Sequence, residues 1–254
     1  MTVDTAAMTR RLFWGLLAAE VLLVLLDAVI TYGQLVEDRY IRRLFNITRE
    51  DSIPNWFSSM QFLLISLAAW WAFFVHRCRF SPRWQLLGWW LVAAGFLFLS
   101  LDDGSRLHER VGAWVAESYS QTDTVAGSLV DANPSYTWHL VMGPFFALGG
   151  LFVLGFVMTQ LNSVRQRLLF VAGVGCFIVS QGMDFLEGID AVVEQVRAAL
   201  DVDTYDVTHF AKSAEEFIEM LGQSLILVVF VRHLGCIGAE MFLRQSADER
   251  PVTP

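Results

Sequence analysis

The chain has 254 residues, 55% of them hydrophobic and 17% charged, with a formal net charge of −8. The charged share falls below the roughly 25% of soluble domains, and apolar runs of about 20 residues recur from end to end, which marks a polytopic membrane protein. The acidic balance speaks against nucleic acid and leaves membrane lipid, a lipophilic substrate or a protein partner within the membrane.

The first apolar run, Leu12 to Tyr32, is too long for a signal-peptide core, and no small-residue cleavage site follows it. It is expected to stay as a span and carries Glu20 and Asp27, seven residues apart on one helical face. Six spans are expected, at 12–32, 54–75, 85–106, 137–160, 168–190 and 210–232. The third and fifth are expected to continue as helices to Glu117 and Arg197. The fold class is an all-α polytopic membrane bundle, one integral membrane domain over 1–254 with a flexible tail at 240–254.

Arginines orient it. Arg10, Arg11, Arg77, Arg79, Arg83, Arg165, Arg167, Arg232 and Arg244 fall on one side if both termini are cytoplasmic. The loop at 33–52 departs from this, since Arg39, Arg42, Arg43 and Arg49 lie there among Glu37, Asp38, Glu50 and Asp51. The 118–135 loop has no Lys or Arg and carries Asp123 and Asp131, as an external loop would. A bacterial inner membrane is the expected location. Cys78, Cys176 and Cys236 form no motif spacing and read as structural thiols.

The second span opens with Asn55, Ser58, Ser59 and Gln61, read as interhelical hydrogen-bond links. The third leaves through Asp102, Asp103, Arg106, His108 and Glu109, with Asp102, Arg106 and Glu109 on one face of a continuous helix. His139 opens the fourth, where Gly143, Gly149 and Gly150 would admit a tightly packed neighbour. The fifth carries Ser180, Asp184 and Glu187 on one face, with Gly188 allowing close approach and Asp190 beyond in solvent. Trp56, Trp70, Trp71, Trp84, Trp89, Trp90, Trp114 and Trp138 fall near span ends and read as interfacial belts.

The sixth span is the most informative. His209, Lys212, Glu216, Glu219 and Gln223 lie within about 80° of one another on a helix, and such a stripe must face protein or water. Glu215 turns away from it. Counted at about 1.5 Å per residue, Asp184, Glu216, Glu219, Asp102 and His139 approach a common level near the outer face.

Carboxylates gathered at low dielectric must take up protons or share a cation. Glu109, His139, Asp184, Glu187, Glu216 and Glu219, with His108, His209 and Asp102, form the candidate ligand set for a divalent or binuclear metal: iron, manganese or zinc. Established ligand spacings such as Glu-x-x-His are absent. Glu216 is the candidate general base, and Lys212 and Arg106 the groups that would hold an anionic substrate. Three functions follow in order of preference. They are a metal-dependent enzyme on a lipid or lipophilic substrate, a cation- or proton-coupled transporter, and an accessory subunit of a larger membrane complex.

Overall fold

A computed structural model describes residues 4–120, 124, 127–128, 137–187 and 189–248, with the side chains of Asp190 and residues 240–248 left aside. Asp123, Asp131 and Gly188, each singled out above, lie outside the described residues.

The described residues are helical. Asp4 starts α1 (Thr5–Leu26) by accepting from the backbone N–H groups of Ala6 and Ala7, and the chain widens into a π-helical turn over Asp27–Tyr32. Then come α2 (Arg39–Phe45) and α3 (Ile53–Cys78), capped by Asp38 and Ser52, and α4 (Arg83–Ser105), α5 (Leu107–Tyr119) and α6 (Thr137–Gln160). The chain closes with α7 (Val164–Glu187), α8 (Asp190–Leu200) and α9 (Thr204–Asp248). Six helices among the described residues are long and apolar enough to cross a membrane, including Thr204–Ala239 of α9. The helical backbone reaches Asp248, where a flexible tail was expected from 240; residues 249–254 lie outside the described residues.

Helix α9 is the axis. It packs against α1, α3 and α7, while α3 pairs with α4 and α5 with α6. The α7–α9 crossing is close because glycines meet there. A Cβ on Gly222 would stand 2.9 Å from the Gly173 carbonyl oxygen, and one on Gly173 3.0 Å from that of Gly222. Interiors of this kind are held by packing contacts rather than by escape from water.

Three sequence expectations are corrected. Trp89 is fully buried, packed among Phe156, Phe230, His76 and His233, and belongs to the core rather than a belt. Gly143, Gly149 and Gly150 face open space, because α6 takes its neighbours through other residues and is little buried along its length. The third and fifth spans do not run on as continuous helices. Arg106 adopts the left-handed conformation (φ 55°, ψ 40°) between α4 and α5, and α7 stops at Glu187 before α8 begins at Asp190.

Candidate functional site

The break at Arg106 builds one side of the site. Asp102, on the last turn of α4, accepts from the backbone N–H of His108 and from its Nδ1, both at 2.8 Å. It thereby supplies the cap that α5 lacks and fixes the His108 ring. Burial works to lower the His108 pKa, but the hydrogen bond and charge of Asp102 outweigh it, helped by Glu109 and Glu50, and the imidazole stands above its ordinary value. The His108 ring lies 4.5 Å from Trp138, which in turn lies 3.6 Å from His139. Trp138 can sit there because Gly112 of α5 has no side chain: a Cβ would come within 2.6 Å of the Trp138 Cβ.

Beyond Trp138 opens a cavity of about 650 Å³, within the usual size of small-molecule sites. Glu109, His139, Asp184, Glu187, His209 and Lys212 all contribute to its wall. His139 Nε2 lies 3.3 Å from Asp184 Oδ2. On the other side of Asp184, Lys212 Nζ approaches Oδ1 at 3.4 Å, donates to Glu215 at 2.7 Å and stands 3.8 Å from Glu216. One ammonium thus compensates three carboxylates, from two helices, in the way a bound cation would. Glu215, expected to turn away, is only 4% exposed and makes the shortest of these contacts. Lys212 stands closer to its i+3 neighbour Glu215 than to its i+4 neighbour Glu216, 2.7 against 3.8 Å.

A second Asp–His pair is packed into the cavity wall, where His209 contributes to the lining but is almost wholly covered. His209 Nε2 is 2.9 Å from Asp27 Oδ2, and each side chain is 2% exposed. Asp27 Oδ1 accepts from the Ile47 backbone N–H at 3.1 Å, so the 33–52 loop is tied down by a residue of the first span. The rings of Tyr32 and Tyr205 lie 5.5 and 5.4 Å from His209, and the Tyr32 hydroxyl donates to Asp206 at 2.8 Å.

Deeper still, polar side chains link the helices. Glu20 Oε1 accepts from Ser224 at 2.5 Å and from Gln61 Nε2 at 3.0 Å. Gln223 donates to Ser58 at 2.8 Å and to Glu219 at 3.2 Å, and Ser180 donates to Glu219 at 3.3 Å. Asp103 accepts from Ser59 at 2.7 Å and bears electrostatically on Glu216 and Glu219. The interhelical links expected of Glu20, Asp27, Ser58, Ser59 and Gln61 are present.

At the rim, Arg106 is held between Glu50 and Glu109, the latter at 2.6 Å. Burial raises the Glu50 pKa to about 7, repulsion from Glu109 adds to it, and Arg106 opposes both. Nearby, Arg43 and Arg49 pair with Asp51 and hold its pKa down to about 2.

Residues 11–234 match the model of a family described as Domain of unknown function (DUF8692). The chain belongs to that family. No curated protein and no solved structure matches it.

Of the expected site residues, the cavity gathers Glu109, His139, Asp184, Glu187, His209 and Lys212. His108 and Asp102 sit behind Trp138 as a capping pair, Arg106 closes the rim, and Glu216 and Glu219 lie inward of the cavity. Asp102, Arg106 and Glu109 do not share one helical face, because the left-handed residue between α4 and α5 resets the register. Among the described residues no three His, Cys, Asp or Glu side chains are arranged to hold a metal ion. Glu215, and Asp27 as the partner of His209, were missed as site components. For Asp27, its place one π turn from the end of an apolar run was the available signal.

Proposed function

We propose that the chain is an integral membrane enzyme with both termini cytoplasmic, whose cavity opens at the outer face and carries out proton transfer on a lipophilic substrate. The arginine distribution supports the orientation, the six apolar helices support insertion, and a bacterial inner membrane is the proposed location. The carrying observation is the His139–Asp184 pair on the cavity wall, 3.3 Å apart and anchored from behind by Lys212. An imidazole on a cavity wall, its ring partly exposed and its nitrogens covered, beside a carboxylate is an arrangement open to a general base with its orienting partner.

In this reading His139 takes or gives the proton, and Asp184 holds the ring and balances the imidazolium. Lys212 and Glu215 fix Asp184. The base role passes from Glu216 to His139, because Glu216 does not line the cavity. Arg106 shapes the rim, its charge already taken up by Glu50 and Glu109. The test is incubation of the protein, reconstituted in nanodiscs, with a total bacterial lipid extract, followed by mass spectrometry. A product formed by the wild type and lost in His139→Gln supports the proposal, whereas lipid profiles identical with and without the protein overturn it.

A second reading, proton- or cation-coupled transport, is favoured by one observation. Polar side chains continue inward from the cavity through Glu219 and Gln223 to the buried Glu20–Gln61–Ser224 group. Intramembrane ionisable residues commonly mark such routes. Proteoliposome flux abolished by Glu219→Gln supports this reading, and flux indifferent to that change removes it.

A further inference from the structure

A second cavity, of about 480 Å³, adjoins the first, and Glu187 and Thr208 line both. Its wall is almost wholly apolar. Val192, Val193, Val196 and Leu200 of α8 cover it from one side, and Leu186 and Phe210 from the other. The α8 residues recur at i, i+1, i+4 and i+8, one face of an amphipathic helix. On the same helix Arg197 donates to Glu194 at 2.8 and 2.5 Å, with both side chains exposed. Helix α8 therefore covers an apolar space with its apolar face and keeps its ion pair outside. Leu186 and Phe210 are about half exposed, which leaves this cavity open sideways to the apolar surface of the bundle.

The charge of the first cavity decides what kind of head group fits. Among the described lining residues Glu109, Asp184 and Glu187 face one Lys or Arg, Lys212, whose ammonium is already shared among Asp184, Glu215 and Glu216. Its charge is thus committed within the protein. Arg106 answers Glu109 from the rim, so Glu187 is the lining carboxylate with no ion pair among the described residues; it would repel an anionic group and draw in an ammonium. Glu187 is placed for that contact. It stands at the junction of the two cavities, and no hydrogen bond to its carboxylate is found among the described residues.

We infer that the paired cavities bind a single-chain amphiphilic amine, its ammonium at Glu187 and Asp184 and its hydrocarbon chain beneath α8. The inference rests on the proposed lipophilic substrate and names its class. It corrects the expectation of an anionic head held by Lys212 and Arg106. The two cavities have the division of an amphiphile, a charged compartment continuous with an apolar one that opens to the side.

The test uses a dodecylamine carrying a diazirine at its chain end, photolysed with the full-length protein in nanodiscs and mapped by mass spectrometry. Label is expected on α8 and on segments 183–186 and 207–211. Glu187→Gln is expected to cut labelling by the amine about tenfold and to leave labelling by the matching alcohol unchanged. Val196→Trp, which fills the apolar cavity, is expected to cut both. Unlabelled dodecylamine should compete, whereas dodecanoate and a two-chain aminophospholipid, which carries a phosphate, should not. Equal competition by either of these, or amine labelling indifferent to Glu187→Gln in protein of unchanged unfolding midpoint, overturns the inference. The assay needs no turnover. Labelling retained in His139→Gln with no lipid product from the wild type would sink the proton-transfer reading and leave this one standing.

Discussion

Two Asp–His pairs, built from the same residue types and lying on either side of one cavity wall, have opposite characters. Asp27–His209 is sealed, with 2% exposure on each side chain, and every group around it is a fixed partner: the Ile47 backbone N–H, Ser213 and the rings of Tyr32 and Tyr205. Asp184–His139 is wider by a few tenths of an ångström, at 3.3 against 2.9 Å, and its side chains are 27% and 21% exposed on the open cavity. Chemistry alone does not distinguish an Asp–His pair that holds helices together from one that handles protons. What separates them is setting: the side chains of one pair stand partly exposed on the cavity wall, and those of the other are almost wholly covered. The sealed pair ties the first span and the 33–52 loop to α9, and that frame keeps the open pair in place.

The sharpest way to break the comparison is to remove each aspartate. Asp27→Ala leaves His209, Ser213 and the Ile47 N–H facing an empty site in the core, a loss expected to cost about 3–5 kcal/mol. Thermal unfolding in detergent should show a collapse of the midpoint or of monodispersity. Asp184→Ala leaves Lys212 with Glu215 and Glu216 and should cost no more than about 1 kcal/mol, as partly exposed pairs do. Equal losses from the two would mean that the pairs do not differ in kind. The converse substitution reads function. His139→Gln should reduce lipid turnover by about 10²-fold or more with the unfolding midpoint unmoved, while His209→Gln should reach activity only through lost stability.

The legibility of the site divides along the same line. The six apolar helices were readable, and so was the nearness of His139 to Asp184 within the level expected of Asp184, Glu216, Glu219, Asp102 and His139, because a 3.6-residue period and an arginine count carry depth and face. Glu215 was not, since the rotation of one helix cannot show which of its i+3 and i+4 neighbours Lys212 contacts when a second helix packs against it. The break at Arg106 was hidden for a related reason. Asp102 six residues before His108 reads as ordinary helix until its carboxylate is seen capping α5. The expected metal follows from carboxylates counted together; their partners (Lys212 for Glu215, Ser59 for Asp103, Ser180 for Glu219, His108 for Asp102) are set by contacts between helices, which a count does not carry.

Lys212 is the next point of attack. Lys212→Met leaves Asp184, Glu215 and Glu216 without their shared ammonium and should destabilise by about 1–3 kcal/mol. Adding Glu215→Gln should return part of that, with a coupling of about 0.5–3 kcal/mol between neighbouring sites. Strictly additive losses would show that the 2.7 Å contact carries no energy and that the open pair is not anchored through it.

The smallest effect expected is one of pH, and it tests whether the cavity rim softens while the sealed pair holds. Glu50 has its pKa raised from 4.5 to about 7, so the folded protein holds a proton that the unfolded chain releases. Its contribution is present at low pH and is lost as pH rises between those two values. His108 is also raised above its ordinary 6.5, so the stability it draws from Asp102 is full below that value and fades as pH rises through the higher folded one. Asp51, held at about 2, stays charged across the whole range and adds no slope. Both contributing groups therefore act in one direction: α5 and the 39–51 segment should lose protection as pH rises from about 5 to about 8. Hydrogen exchange, corrected for intrinsic rates, should show faster opening at the amides of α5, with Glu50→Gln flattening the lower part of the profile and His108→Gln the upper. Amides at the sealed end of α9, around His209 and Ser213, should show no such trend. Protection that rises with pH in α5, or that falls equally in both places, would mean the rim and the sealed pair respond as one unit, and the distinction between them would go.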